Sequence, residues 1–245
     1  MDLGRSTWTD AAAAETDLAV LPVGSTEQHG PHDPLSTDAV LAEVVASAAV
    51  GAYDGEVVLA PTLPYGVSEE HRHFAGTCWL SSDTFRAAVE EVVESLISHG
   101  WNRVVVVNGH GGNTTALRVV GRDCTRPGDR YVTSFTWFDA VDTSQIDDEA
   151  VRMGHAGPVE TAALLASHPE LVQEDRLADG AEGASKRWGE WVSGVNLAYD
   201  VDEFSENGVV GDPTAADATL GEALLSEATE ALVALLAAVA ERPLG

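Results

Sequence analysis

The run Val104-Val105-Val106-Val107 limits the fold more than any other stretch of this chain. Four β-branched side chains in succession stiffen the backbone toward an extended form and leave no face for water. A strand buried on both faces belongs in a mainly parallel sheet with helices above and below. The neighbouring segments agree with that. Leu18–Val23 is another apolar run, ending at Gly24, and Val40–Val50 then carries apolar residues at helical spacing. Glu56–Ala60 reads as a strand, and Asp83–His99 as a helix with Ser82 as N-cap and Gly100 as C-cap. Asn113–Cys124 reads as a helix and Tyr131–Phe138 as a strand, while Pro158 opens a helix through Ser167. Leu220, Ala223, Leu224, Ala228, Ala231, Leu232, Leu235 and Val239 mark a long amphipathic C-terminal helix. The expectation is an α/β chain forming one domain over residues 1–245, with an irregular insertion around 175–211.

Charge narrows the class of partner. The 245 residues hold 40 Asp plus Glu against 13 Lys plus Arg, a net charge of −27. Such a balance excludes a non-specific nucleic-acid or anionic-membrane binder, which needs a basic face. No apolar run approaches the ~18 residues of a spanning helix, the longest being Ala231–Ala240, and the N-terminus has no secretory pattern. Two cysteines, Cys78 and Cys124, are too few for a disulfide framework or a cysteine metal cage. A cytoplasmic location is expected. Lys186 is the one lysine, and the other twelve cations are arginines. At molar salt the Debye length falls to about 3 Å and self-repulsion of the acids largely disappears. The composition therefore reads as that of a halophilic protein in a salt-loaded cytoplasm.

Active sites of parallel α/β sheets lie beyond the carboxyl ends of the strands, and three histidine-bearing turns fall there. The first is Gly24-Ser25-Thr26-Glu27-Gln28-His29-Gly30, with Asp38 at the start of the next helix. Glu27 and His29 are two apart, so an extended backbone points both side chains the same way. One imidazole and two carboxylates suit zinc, manganese or iron. A polar loop followed by a helix-favouring Asp38 would look the same. The second turn, Asn108-Gly109-His110-Gly111-Gly112-Asn113, offers His110 as a ligand and glycine N–H groups to a substrate oxygen. Read as a phosphate cradle, it lacks the P-loop lysine and the third glycine of a dinucleotide site. The third, Gly154-His155-Ala156-Gly157-Pro158-Val159-Glu160, puts Glu160 in a first helical turn, where it would also complement the helix dipole.

These segments resemble the creatininase family of metal-dependent amidohydrolases. The resemblance rests on LPVGSTEQHGPH with Asp38, YGVSEEH at 65–71, NGHGGN, GHAGPVET and GDPTAADATLGE at 211–222, in that order along the chain. It implies a three-layer α/β/α sandwich, commonly assembled as a hexamer. It places Glu27, His29, Asp38, His110 and Glu160 on the ligands of two divalent ions, zinc before manganese or iron, with Asp38 bridging. His155 falls on a position that carries a proton toward the leaving nitrogen, with Glu160 beside it in the catalytic group. Gly111, Gly112, Asn113, His71 and Arg72 are then the candidate substrate contacts, Arg72 as a partner for a phosphate.

Some positions depart from the family. Creatinine-hydrolysing members carry a glutamate where this chain has Gly112, which suggests room for a bulkier substrate. Asp33 and Ser36 stand in place of the usual leucine and glycine, and Ala75 in place of a common proline. The expectation is hydrolysis of a small, non-peptide amide such as a formamide or cyclic amide, with creatinine itself as the alternative. A reading from another class is a nucleotide-binding α/β protein without turnover.

Overall fold

The computed structural model describes residues 1–144, 146 and 154–245. Its sheet has four parallel strands, β1 (Leu18–Val23), β2 (Val58–Leu59), β3 (Arg103–Asn108) and β4 (Tyr131–Thr136). Their spatial order is β2-β1-β3-β4, so β1 and β3 are central. β1 and β3 run in register from Leu18↔Arg103 to Val23↔Asn108. Seven helices are described: α1 (Trp8–Ala12), α2 (Thr37–Ala52), α3 (Ser82–Ser98), α4 (Thr114–Thr125), α5 (Pro158–Ser167), α6 (Leu177–Glu182) and α7 (Ala218–Glu241).

The valine run does what its chemistry requires. Val105 and Val107 join Leu18 and Val20 in a core with α2, α5 and α7. Val104 and Val106 join Ala19, Leu21 and Val23 in a second core with α3 and α4. Alternate residues of each central strand thus feed opposite layers, giving a three-layer α/β/α sandwich.

Local differences from the sequence expectation have simple causes. Ser81, not Ser82, caps α3, its side chain accepting from the Thr84 N–H. Gly100 lies one residue past the His99 cap, in the left-handed region at φ +97° that favours glycine after a helix. Helix α7 buries Leu224, Ala228, Leu232, Leu236 and Val239, so the buried line includes Leu236, and Ala223 faces outward. By length and composition α7 could cross a membrane, but these leucines are spent on the core shared with α2 and α5. The irregular 175–211 stretch holds α6 and a hairpin, β5 (Trp191–Val192) and β6 (Val195–Asn196), turned by Ser193 and Gly194 at φ +51° and +83°.

Candidate metal centre

Two glycines let the strand ends meet the start of α2. A Cβ on Gly24 would run into the backbone of Asp38 and Ala39, and one on Gly109 into the Asp38 carbonyl. Without side chains there, the first turn of α2 drops between the ends of β1 and β3. Asp38 is thereby placed beside Glu27 and His29 on one hand and His110 on the other. Pro158 opens α5 and puts Glu160 in its first turn, at the same edge of the sheet.

Asp38 is the centre of the arrangement. Its Oδ1 lies 3.2 Å from His29 Nε2, and its Oδ2 lies 3.3 Å from His110 Nδ1. Behind His29 stands Glu160, with Oε2 at 3.8 Å from the same Nε2. Glu27 stands behind His110, with Oε1 at 3.2 Å from Nδ1. The two histidines are fixed by their far nitrogens. His29 Nδ1–H donates to the Glu27 carbonyl at 3.2 Å, and His110 Nε2–H donates to the Val67 carbonyl at 2.8 Å. Once either ring gives up its second proton, the nitrogen left free is the one that faces the carboxylates, the tautomer a metal ligand needs.

The fit to a cation is direct. Glu27 Oε1 and Oε2, His29 Nε2 and Asp38 Oδ2 are buried with no hydrogen-bond partner, a costly state for side chains almost wholly out of water. Glu27, Asp38 and His110 offer ligand atoms within 4.8 Å of one another, and so do His29, His155 and Glu160. Without an ion, protons balance the cluster. Burial opposes charge on both imidazoles, but the surrounding carboxylates outweigh it. Asp38 and Glu160 raise His29 to about 10, and Glu27 and Asp38 raise His110 well above its usual value. Burial also works against the carboxylates, yet His110 holds Glu27 down at about 2 and His29 lowers Asp38. Glu160 goes the other way, pushed up to about 7 by burial, with His29 opposing.

His155 and His71 stack beside this group, each with its ring centroid 4.3 Å from a neighbour. His155 Nε2–H donates to the Gln28 carbonyl at 2.6 Å, leaving Nδ1 open and 3.6 Å from Glu27 Oε1. His71 is set by Gln28. The Gln28 amide oxygen accepts from the Gly30 N–H, so its NH2 group donates both to the Gly208 carbonyl and to His71 Nδ1. His71 Nε2–H is thereby turned toward Glu27 Oε1, 3.4 Å away. Gln28 lay inside the motif, but only its two fixed backbone partners reveal its task.

A cavity of about 420 Å³ opens beside the centre, lined by Glu70, His71, His110, Gly111, Gly112, Phe138, Asp139, Gly154, His155, Glu160 and Trp188. Three of the expected contacts behave differently from the sequence reading. Gly112 borders the cavity, but a side chain there would strike the Val67 carbonyl and His110 Nε2, so its smallness serves the 66–70 loop. Asn113 is fully buried as a clamp. Its Oδ1 accepts from the Val67 N–H, and its Nδ2 donates to the Gly24 carbonyl and Asn108 Oδ1. Arg72 turns to Asp200, whose Oδ2 it meets at 2.5 Å, and does not border the cavity. Glu70, Phe138 and Asp139, to which the sequence assigned no part in the site, form the outer wall together with Trp188, for which a pocket mouth and a subunit contact were both open.

The creatininase family profile, described as creatinine amidohydrolase, matches residues 4–236. A mycofactocin precursor peptide peptidase from Mycobacterium ulcerans is 34% identical over 243 residues, covering 96% of this chain and 90% of that protein. A creatinine amidohydrolase from Pseudomonas putida is 31% identical over 199 residues, covering 72% of this chain and 75% of that protein. A crystal structure from Bacteroides fragilis, provisionally assigned as a creatinine amidohydrolase, superposes with a TM-score of 0.83 at 26% identity, over 100% of this chain and 98% of its own.

Proposed function

The chain belongs to the creatininase family, and we propose that it hydrolyses an amide C–N bond at a centre of two divalent ions. The observation that carries this reading is Asp38, whose two oxygens face two separate imidazoles, each backed by a further carboxylate. Glu27, Asp38 and His110 would hold one ion, and His29, Asp38 and Glu160 the other. Ions held there supply Lewis acidity and an acidified water, and the borderline-hard N/O set suits zinc first, then manganese or iron.

The chain's own groups divide the remaining work. His155 is kept neutral by burial and by the neighbouring His29 and His71 rings, and its Nδ1 is open beside the cavity. It takes up a proton at Nδ1 and returns it to the leaving nitrogen. Glu160, at the cavity wall, shares the catalytic group as well as holding an ion. The backbone of Gly111 and Gly112, also on that wall, would hold the oxygen of the carbonyl under attack. Phe138 and Trp188 shield the far side.

For the scissile bond, the similarity to a precursor peptide peptidase favours an amide within a peptide. The Pseudomonas putida relative keeps a second reading open, a small non-peptide amide, formamide or cyclic. A phosphate-bearing substrate fits less well, because the outer wall offers the carboxylates of Glu70 and Asp139 while Asp200 holds Arg72. The test is mass spectrometry on zinc- or manganese-loaded protein with short peptides, a formamidopyrimidine and creatinine. Peptide cleavage is expected. Saturable turnover of creatinine or the formamide, without peptide cleavage, would reverse the order. Two bound ions with no amide hydrolysed would favour the non-catalytic binding protein.

A further inference from the structure

Behind Glu160, on the side away from the cavity, lies a buried group that no step above uses. It consists of His32, Asp33 and Thr161, all under a tenth exposed, around the peptide of Ala156. His32 Nε2 lies 3.1 Å from the Ala156 carbonyl and 3.2 Å from Thr161 Oγ1. A carbonyl can only accept, so Nε2 carries the proton, shared between the two oxygens. The Thr161 hydroxyl then donates to Asp33 Oδ2 at 2.7 Å. Ala156 sits at φ +51°, a left-handed conformation uncommon for alanine, and its N–H donates to Glu160 Oε2 at 2.7 Å. That same oxygen is the one facing His29.

We propose that His32 and Asp33 are positioning residues for the Glu160 ligand, holding the Ala156 peptide and the Thr161 hydroxyl on either side of it. The backbone of Ala156 is held on both sides, by His32 at its carbonyl and by Glu160 at its N–H. Thr161, next to Glu160 in sequence, is held through its hydroxyl by Asp33. The 30–33 turn thereby fixes which way the first turn of α5 presents its carboxylate.

This inference rests on the two-ion reading above, and the experiment separates the two. Wild type, His32→Leu, His32→Gln, Asp33→Leu and Thr161→Val are equilibrated with cobalt(II), and bound metal and the visible spectrum are measured per subunit. Circular dichroism checks each fold. Wild type should bind two ions. His32→Leu should bind the ion at His29 and Glu160 at least tenfold more weakly, keep the one at Glu27 and His110, and lose part of the cobalt spectrum. His32→Gln, which keeps an N–H donor at similar reach, should restore much of that affinity. Asp33→Leu and Thr161→Val should each weaken the same ion by a smaller factor. If His32→Leu does not fold, Thr161→Val carries the test, since it removes only a hydroxyl. Folded variants binding both ions as wild type does would overturn the positioning role alone. Wild type binding fewer than two would overturn the two-ion reading and this role with it.

Discussion

Asp38 faces His29 and His110 through one side chain, and on the two-ion reading single substitutions should show it. Asp38→Ala should empty both positions, whereas His29→Ala and His110→Ala should each chiefly empty one, as read by elemental analysis after zinc soaking. Proton linkage gives an independent check. His29 is raised to about 10 in the metal-free fold, so its contribution is complete below its unfolded value of 6.5 and is lost as pH rises through about 10. With chelator present, the melting temperature should therefore fall between pH 7 and 10.5. Loading with zinc at pH 7 should release protons, and affinity should climb with pH. Asp33 shows the opposite kind of group. Burial lifts its carboxyl to about 6, against the Thr161 hydrogen bond, so the charged form costs stability as pH rises from 3.8 through 6. Asp33→Asn should stabilise the fold by roughly 2 kcal/mol above pH 7 and by little at pH 4 in denaturant titrations.

At the scale of elements, the clearest sequence signals were those written in a single segment. The β1 and β3 runs, Pro158 as the start of α5 and the end of that helix at Ser167 follow from apolar pattern and backbone chemistry alone. So did the histidine turns at the strand ends. What stayed hidden depends on segments far apart in sequence. Asn113 looked like a substrate contact because its turn carries glycines, yet it ties residues 24, 67 and 108 together. Arg72 looked free because Asp200 lies 128 positions away. Glu70 and Trp188 join one cavity from opposite parts of the chain, and no local pattern announces that. The clamp gives a sharp expectation. Asn113→Ala leaves the Val67 N–H and Gly24 carbonyl without these buried bonds and should cost about 2–4 kcal/mol of stability, measured by urea unfolding.

Across the whole molecule, charge and assembly are the open quantities. With a net charge of −27, stability should rise steeply from dilute buffer to molar potassium chloride, and a flat melting temperature would contradict the halophilic reading. Trp191, Val192, Val195 and Leu197 each leave about half or more of their surface exposed along the β5–β6 hairpin. Family resemblance implies a homo-hexamer, and light scattering in molar salt should return a mass several times 25.7 kDa. The spacing of the five donors also sets an order of events. Glu27, His29, Asp38 and His110 precede β4, but Glu160 follows it, in α5. A chain still emerging from the ribosome can assemble the sheet from β1 to β4 with only four of the five donors in hand. On the two-ion reading, the pair would thus be completed late in biosynthesis, and its presence would certify that the chain has been made past α5 and folded back on its beginning.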